Sequence, residues 1–318
     1  MMGRLKGDII ILGVAGKIGV TLALTAKRAA EEAGIAKRVV GVARFSNPDS
    51  RCQLEQAGVE TITCDLLNRD SLARLPTLEN VVYMAGRKFG TRGDESQTWA
   101  ANVVVPANVA EHFRGSRIVA FSTGCVYPLA PVADGGSVET EPVGGIGEYA
   151  QSCVGRERVF EHFSQRYEIP VCLLRLYYCI DLRYGVLHDL ARQILDGEPV
   201  DLTMAAFNCL WQGDANNMAL LALDRCRAPA VALNITAGET HFIRDVAQKL
   251  ARALGREVRF TGEEAPTAYV GNGDAACSVL GKPTVDLDTM IAWTVSWLER
   301  GGRSLNLPTH FQTRDGKY

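Results

Sequence analysis

Residues Gly13-Val14-Ala15-Gly16-Lys17-Ile18-Gly19 follow directly on the apolar run Ile9-Ile10-Ile11-Leu12. How this stretch is read decides the fold. A short buried strand runs into a glycine-rich turn and then into a helix expected over 20–33. Glycines permit a tight turn and a close backbone approach to a ligand. The N–H groups and dipole of a helix start favour an anion. Three glycines by themselves are a weak signal. At the strand–helix junction of an N-terminal βαβ unit they point to a dinucleotide phosphate site. The alternative is a glycine turn that serves packing alone.

Working outward, strand patterns recur at 38–43, 60–64, 81–85, 117–122 and 171–176. Helical stretches lie between them, among them 99–113 and 149–167. Short apolar strands alternating with helices call for a parallel sheet covered on both faces. The expected fold class is therefore α/β, a Rossmann-type doubly wound parallel sheet with a small mixed C-terminal cap. Proline and glycine cluster over 128–147, which marks a long loop of the kind that often carries function. After Tyr178 the alternation weakens. A helix over 186–195 stops at Gly197 and Pro199, and a strand-like 231–235 is expected to return to the sheet. Residues 242–254 have helical periodicity and stop at Gly255; 287–300 form another amphipathic helix before Gly301-Gly302. The tail, 306–318, is polar and irregular. This assigns 1–178 to dinucleotide binding, with 207–238 returning to it, and most of 179–318 to a substrate-binding cap.

The bulk numbers exclude several classes. A hydrophobic content of 47% and a charged content of 22% suit a soluble globular chain. A net charge of −2 argues against nucleic acid or anionic membrane as partner. No apolar run approaches the roughly 20 residues needed to span a bilayer, and no signal peptide is visible, so a cytoplasmic location is expected. The nine cysteines form no C-x-x-C pair. Reduced, buried thiols fit better than disulfides or zinc, and no histidine pair has metal-ligand spacing, so no metal is expected.

The order of these pieces resembles the extended short-chain dehydrogenase/reductases, the NAD-dependent epimerase/dehydratase family. The likeness runs over nearly the whole chain. It is carried by Gly13 to Gly19, Asp65-Leu66 after the third strand, Met84-Ala85-Gly86 at the end of the fourth, and Asn102 in the next helix. Ser122-Thr123-Gly124-Cys125-Val126-Tyr127 closes the fifth strand. Leu174-Arg175-Leu176, Asp214, Asn234-Ile235, Gly238-Glu239 and Leu280-Gly281-Lys282-Pro283 follow in order. The resemblance implies that Gly13, Ala15, Gly16, Lys17, Ile18, Gly19, Asp65, Leu66, Met84, Ala85, Gly86, Asn102 and Tyr149 serve the cofactor. Asp65 would bond the adenine amine and Leu66 would pack beside its ring. It also implies a homodimer paired through helices 99–113 and 149–167.

In this fold the end of the second strand meets the adenosine ribose. An acid there favours NAD, and an arginine suits a 2′-phosphate. The strand ends Val42-Ala43-Arg44-Phe45, so Arg44 argues for NADP over NAD. An exposed loop arginine is the alternative.

The resemblance further implies a Ser/Thr, a Tyr and a Lys four residues after the Tyr. Thr123 matches the first and Tyr149 the second; Cys153 stands at the lysine position. A free phenol has a pKa of ~10, too high for efficient proton transfer at neutral pH, and a nearby ammonium favours the phenolate. A neutral thiol supplies neither the charge nor the three donors. Three readings follow: Lys88, Arg87 or Arg156 replaces the lysine; Tyr149 works slowly; or the protein binds a nucleotide without turnover. Gly124 and Cys125 follow Thr123 where the 4,6-dehydratases carry Asp and Glu, so a dehydratase of that type is not expected. Tyr178 stands where nucleotide-sugar enzymes commonly place an Asn after Arg175.

The leading expectation is an NAD(P)-dependent oxidoreductase or epimerase acting on a hydroxyl of a small carbohydrate, polyol or sugar acid. The alternatives are a nucleotide-sugar epimerase and a non-catalytic sensor or scaffold. Lys88, Tyr178, His188 and Trp211 are candidate substrate contacts. Trp211 is equally readable as packing, and His112 and His162 as surface or core. A Ser122 or Cys125 nucleophile lacks a neighbouring His in sequence. Trp293 and Trp297, four apart, are expected on the buried side of the last helix.

Overall fold

The computed structural model describes residues 1–90 and 93–317; Tyr318 of the polar tail lies outside the described residues. In chain order the elements are β1 (Ile9–Leu12), α1 (Gly19–Glu32), β2 (Val39–Ala43), α2 (Pro48–Gln56), β3 (Glu60–Thr63), α3 (Arg69–Ala73), β4 (Asn80–Tyr83), α4 (Glu95–Trp99), α5 (Val105–His112), β5 (Arg117–Thr123), β6 (Ala130–Pro131) and α6 (Gly147–Tyr167). They continue with β7 (Val171–Leu176), β8 (Tyr178–Ile180), α7 (Val186–Leu195), β9 (Val200–Asp201), β10 (Ala206–Phe207), β11 (Cys209–Trp211), α8 (Gln212–Ala222), β12 (Val231–Ile235), β13 (His241–Phe242), α9 (Ile243–Leu254), β14 (Phe260–Thr261), β15 (Thr267–Ala268), α10 (Asp274–Leu280) and α11 (Leu287–Glu299).

The chain divides into two compact units. The first comprises Met1–Thr123, Glu148–Arg175 and Asn216–Leu233. Its frame is a seven-stranded sheet in the order β3-β2-β1-β4-β5-β7-β12. The pairs from β3 through β5 are all parallel, with Ile9 set between Val39 and Asn80. β1, β2 and β4 are buried along their whole length. Their unbroken Val/Ile runs are what a strand covered on both faces requires. Leu72, Val109, Phe113 and Phe160, from the flanking helices, pack on Ile10, Val81 and Ile118 of the sheet. This is the Rossmann-like α/β fold. The strand order reverses at β1, so the carboxyl ends of β1 and β4 flank the switch point where such sheets bind ligands.

The helix expected over 99–113 begins earlier, at Glu95, and is not uniform. A π-helical turn, Ala100–Val104, separates α4 from α5. Pro106 lies in the first turn of α5 and lacks the N–H of a regular ladder. The π turn carries the buried Asn102.

The second unit comprises Gly124–Gly147, Leu176–Ala215 and Asn234–Tyr318. Four two-stranded sheets, β10-β13, β11-β8, β14-β9 and β15-β6, surround helices α7, α9 and α11. Leu187, Leu190, Ile243, Leu250, Met290 and Val295 form its core. The segment expected as a loop over 128–147 groups with this unit, because its backbone is bonded there. β6 pairs with β15, and Ser137 N donates to Val270 O at 3.0 Å. Asn234 Nδ2 donates to Ser137 O at 2.8 Å, and Tyr127 Oη donates to Asn234 Oδ1 at 3.1 Å. Buried peptide groups need such partners, and the segment finds them here. Trp293 departs from expectation: it is 41% exposed, its ring edge-on to Trp211 at 5.1 Å. The buried face of α11 is formed instead by Met290, Ile291, Thr294 and Val295.

Candidate functional site

A cleft of about 630 Å³ opens at the carboxyl ends of β1 to β4. Gly13, Ala15 and Gly16 form one wall, and Met84, Ala85 and Gly86 another. Gly13 has φ +89°, and a Cβ there would lie 2.7 Å from the Ala85 backbone nitrogen. Only glycine allows the β1 turn to lie this close to the β4 loop. Lys17 and Ile18 are half-buried beside the loop, and Gly19 begins the 14-residue α1. A helix start next to an open glycine turn suits a phosphate.

At the far end the cleft meets β2 and β3. Arg44, exposed at the end of β2, shares that wall with Phe45, Ser46, Asn47 and Ser50. Asn47 caps α2, its side chain accepting from Asp49 N at 2.9 Å. Asp65 and Leu66 line the cleft after β3. Asp65 also accepts from Leu67 N at 3.0 Å, and Leu66 is largely buried against the sheet core. The cleft has the volume and the glycine cradle that a dinucleotide needs, with Arg44 at its far end.

Asn102 is fully buried. Oδ1 accepts from Arg87 N at 2.9 Å and Arg156 Nη2 at 2.6 Å; Nδ2 donates to Arg87 O and Ser152 Oγ, both at 2.9 Å. It therefore ties the β4 loop to α6, and these four bonds use the amide's two donors and two oxygen lone pairs.

Thr123 ends β5, and Tyr149 lies half-buried in the first turn of α6, both in the first unit. Cys153 is wholly buried one turn further on. Of the cations considered as lysine replacements, Arg87 is committed elsewhere: it pairs with Asp94 at 2.5 Å and bonds Gly90 O at 2.7 Å. Lys88 Nζ lies 6.0 Å from the Tyr149 ring centroid, within cation–π range. Arg156 is buried behind them, its Nη1 donating to Phe121 O at 2.9 Å. Burial opposes its charge, but Cys153, Tyr83, Tyr149 and Glu157 together outweigh that and hold the guanidinium above its usual value.

Sequence reasoning passes over Glu157. Its carboxylate accepts from Arg175 Nη2 at 2.7 Å and Ser122 Oγ at 2.5 Å, all buried. This triad joins α6 to β5 and β7 and so sets the height of Tyr149. The one signal for it in the chain is its place on the same helix face as Cys153 and Phe160.

The other candidates belong to the second unit. His188 uses both ring nitrogens internally, on Leu182 O at 2.9 Å and Ser304 Oγ at 3.0 Å. That satisfies a buried imidazole. Tyr178 packs against the helical core and Phe207, and its hydroxyl donates to Phe311 O at 3.4 Å. Burial pushes its phenol far up. Trp211 packs on Trp293 and the same core, the packing reading. Among the described residues there is no cluster of three or more side chains suited to a metal, and no helix long and apolar enough to cross a membrane.

Residues 9–233 match the NAD dependent epimerase/dehydratase family, and the chain belongs to that family. No protein of curated function matches it. Among solved structures it is similar to UDP-glucuronic acid 4-epimerase from Bacillus cereus in complex with UDP-glucuronic acid and NAD, with 19% identity, a TM-score of 0.77, and coverage of 92% of this chain and 99% of that one. The UDP-glucose 4-epimerase of Thermus thermophilus, in complex with NAD, gives 21%, 0.75, 92% and 99%. A dTDP-glucose 4,6-dehydratase from Streptomyces venezuelae, also with NAD, gives 20%, 0.79, 92% and 97%. At these identities the likeness is one of fold.

Proposed function

We propose that this protein is an NADP-dependent oxidoreductase or epimerase acting on a hydroxyl of a small carbohydrate, polyol or sugar acid. The observation that carries this reading is Tyr149: a half-buried phenol at the start of α6, with the Lys88 ammonium 6.0 Å from its ring. A phenol beside positive charge is suited to exchange a proton with a substrate hydroxyl. Thr123, in this reading, bonds the same oxygen. A bound nicotinamide supplies the hydride exchange; Gly13, Ala15, Gly16 and Arg44 are the residues that would hold the dinucleotide. Arg44 and the hydroxyls of Ser46 and Ser50 favour a 2′-phosphate, although the similar structures named above contain NAD.

Turnover of a polyol and sugar-acid panel with NADP(H), in wild type and Tyr149→Phe, tests this. The variant is expected to lose turnover by a factor of about 100 or more and to keep its cofactor affinity. A fully active Tyr149→Phe overturns the assignment. A wild type that binds cofactor but turns over nothing favours a sensor.

A second reading, a nucleotide-sugar epimerase, is favoured by the similarity to the two sugar 4-epimerases. Uridine-diphosphate sugars in the same panel decide between the two.

A further inference from the structure

Arg156 is 6% exposed and carries a charge that its immediate partners do not balance. Its two hydrogen-bond acceptors, the Phe121 carbonyl and the Asn102 amide oxygen, are neutral. Its Nε is buried with no partner. Among the described residues no carboxylate forms an ion pair with it. Glu157, next in sequence, is neutralised by Arg175 at 2.7 Å. Burying a cation without a counter-charge is costly, and an apolar residue of similar volume would pack there more favourably. The field of this guanidinium therefore acts on whatever nearby group can become an anion.

Three groups qualify. Tyr83, whose ring centroid is 5.8 Å from the guanidinium, is fully enclosed; its hydroxyl has no partner and burial pushes its phenol up. Cys153 is fully enclosed as well. Tyr149 is half-buried, and its phenolate keeps part of its hydration. Tyr149, Cys153 and Arg156 lie at i, i+4 and i+7, on one face of α6. The seven residues span about 10 Å of helix, helical side chains tilt back toward the N-terminus, and Tyr149 is among the groups whose charge holds the Arg156 guanidinium up. The guanidinium also lies directly against Gly86. A Cβ on Gly86, which lines the cofactor cleft, would lie 2.4 Å from Arg156 Nη2.

We propose that Arg156 supplies the fixed positive charge behind Tyr149, the part left open by the neutral side chain at position 153. It is a positioning residue: it acts on the proton held by Tyr149 and through Asn102 and Gly86 on the β4 loop. Lys88, 6.0 Å from the phenol ring centroid, is the second cation near Tyr149 and the rival for the same part. The inference deepens the hydroxyl-chemistry reading above, but its test uses no substrate, so the two can fail separately.

The test is ultraviolet titration of phenolate absorbance in the full chain. Subtracting the Tyr149→Phe curve isolates one phenol. That phenol is expected to ionise about one pH unit or more below the ordinary ~10. Arg156→Met should move it back up by about one unit, a tenfold change in ionisation. Lys88→Met should leave most of the shift in place. Because Arg156→Met removes a buried group and can fail to fold, a relocated charge is the second arm: Cys153→Lys combined with Arg156→Ala should restore the low transition. The proposal is overturned if Tyr149 titrates at its ordinary value in wild type. It is also overturned if Lys88→Met alone abolishes the shift, or if the anion formed near neutral pH is a thiolate that disappears in Cys153→Ser.

Discussion

At Arg44 the proposed preference for NADP rests on a single side chain. It stands exposed at the end of β2, on a cleft wall shared with Ser46 and Ser50. A guanidinium–phosphate contact is worth about 1.5–3 kcal/mol. Arg44→Ala should therefore weaken NADPH about tenfold to a hundredfold and leave NADH nearly unchanged, as read by fluorescence titration. Equal losses for both cofactors, or tighter NADH binding in wild type, would remove the argument. Gly13 shows the same economy of scale. Its positive φ and the 2.7 Å approach of Ala85 leave no room for a methyl group, so Gly13→Ala should lower both stability and affinity for either dinucleotide.

Helix α6 is the element on which the site depends. Its register is held by the buried Glu157–Arg175 pair and the Ser122 hydroxyl. Glu157→Gln leaves Arg175 buried without its counter-charge and should cost about 3–5 kcal/mol, seen as a lower urea midpoint. A change below 1 kcal/mol would mean that the pair does not anchor the helix. Helix α7 gives a prediction in pH. Burial lowers the pKa of His188, offset in part by its bond to the Leu182 carbonyl. The unfolded imidazole titrates near ~6.5. Above that value both states are neutral and stability is complete. As pH falls below it the unfolded chain binds the proton more readily, so stability drops toward the lower, folded pKa. His188→Gln should flatten this loss between about pH 6.5 and 5, measured as urea unfolding at several pH values. An identical slope in the variant would show that His188 does not contribute.

For the whole molecule the open question is assembly. Trp99 and Val104, on the α4–π segment, are 39% and 46% exposed, and Tyr167 at the end of α6 is 39% exposed. Apolar groups left on neighbouring helices fit a helix-to-helix homodimer. Light scattering should give twice the chain mass for wild type and a monomer for Val104→Asp; a monomeric wild type would refute the dimer. Much of the architecture is legible in the chain itself. Ile9 to Leu12 and the glycines after it specify a buried strand and a tight turn through local backbone sterics and unbroken hydrophobicity, and such information is carried by consecutive residues. The places of Arg44 after β2 and Tyr149 at the start of α6 are legible for the same reason, since each is counted from a strand or helix end. The short strands after Tyr178 are not, because two-residue ladders such as β6 with β15 have no periodicity and exist only where a distant segment supplies the hydrogen bonds. The exposed Trp293, the fully occupied Asn102 and the diverted Arg87 are hidden likewise. What the sequence determined by itself was the alternation of strands and helices and the glycine loop, which follow from local propensity and apolar spacing. What only the tertiary structure decided was which charges pair: Glu157 with Arg175 and Arg87 with Asp94, while Arg156 has no ion-pair partner among the described residues. Coulomb attraction and desolvation depend on distance and burial, and neither is written in the order of residues along the chain.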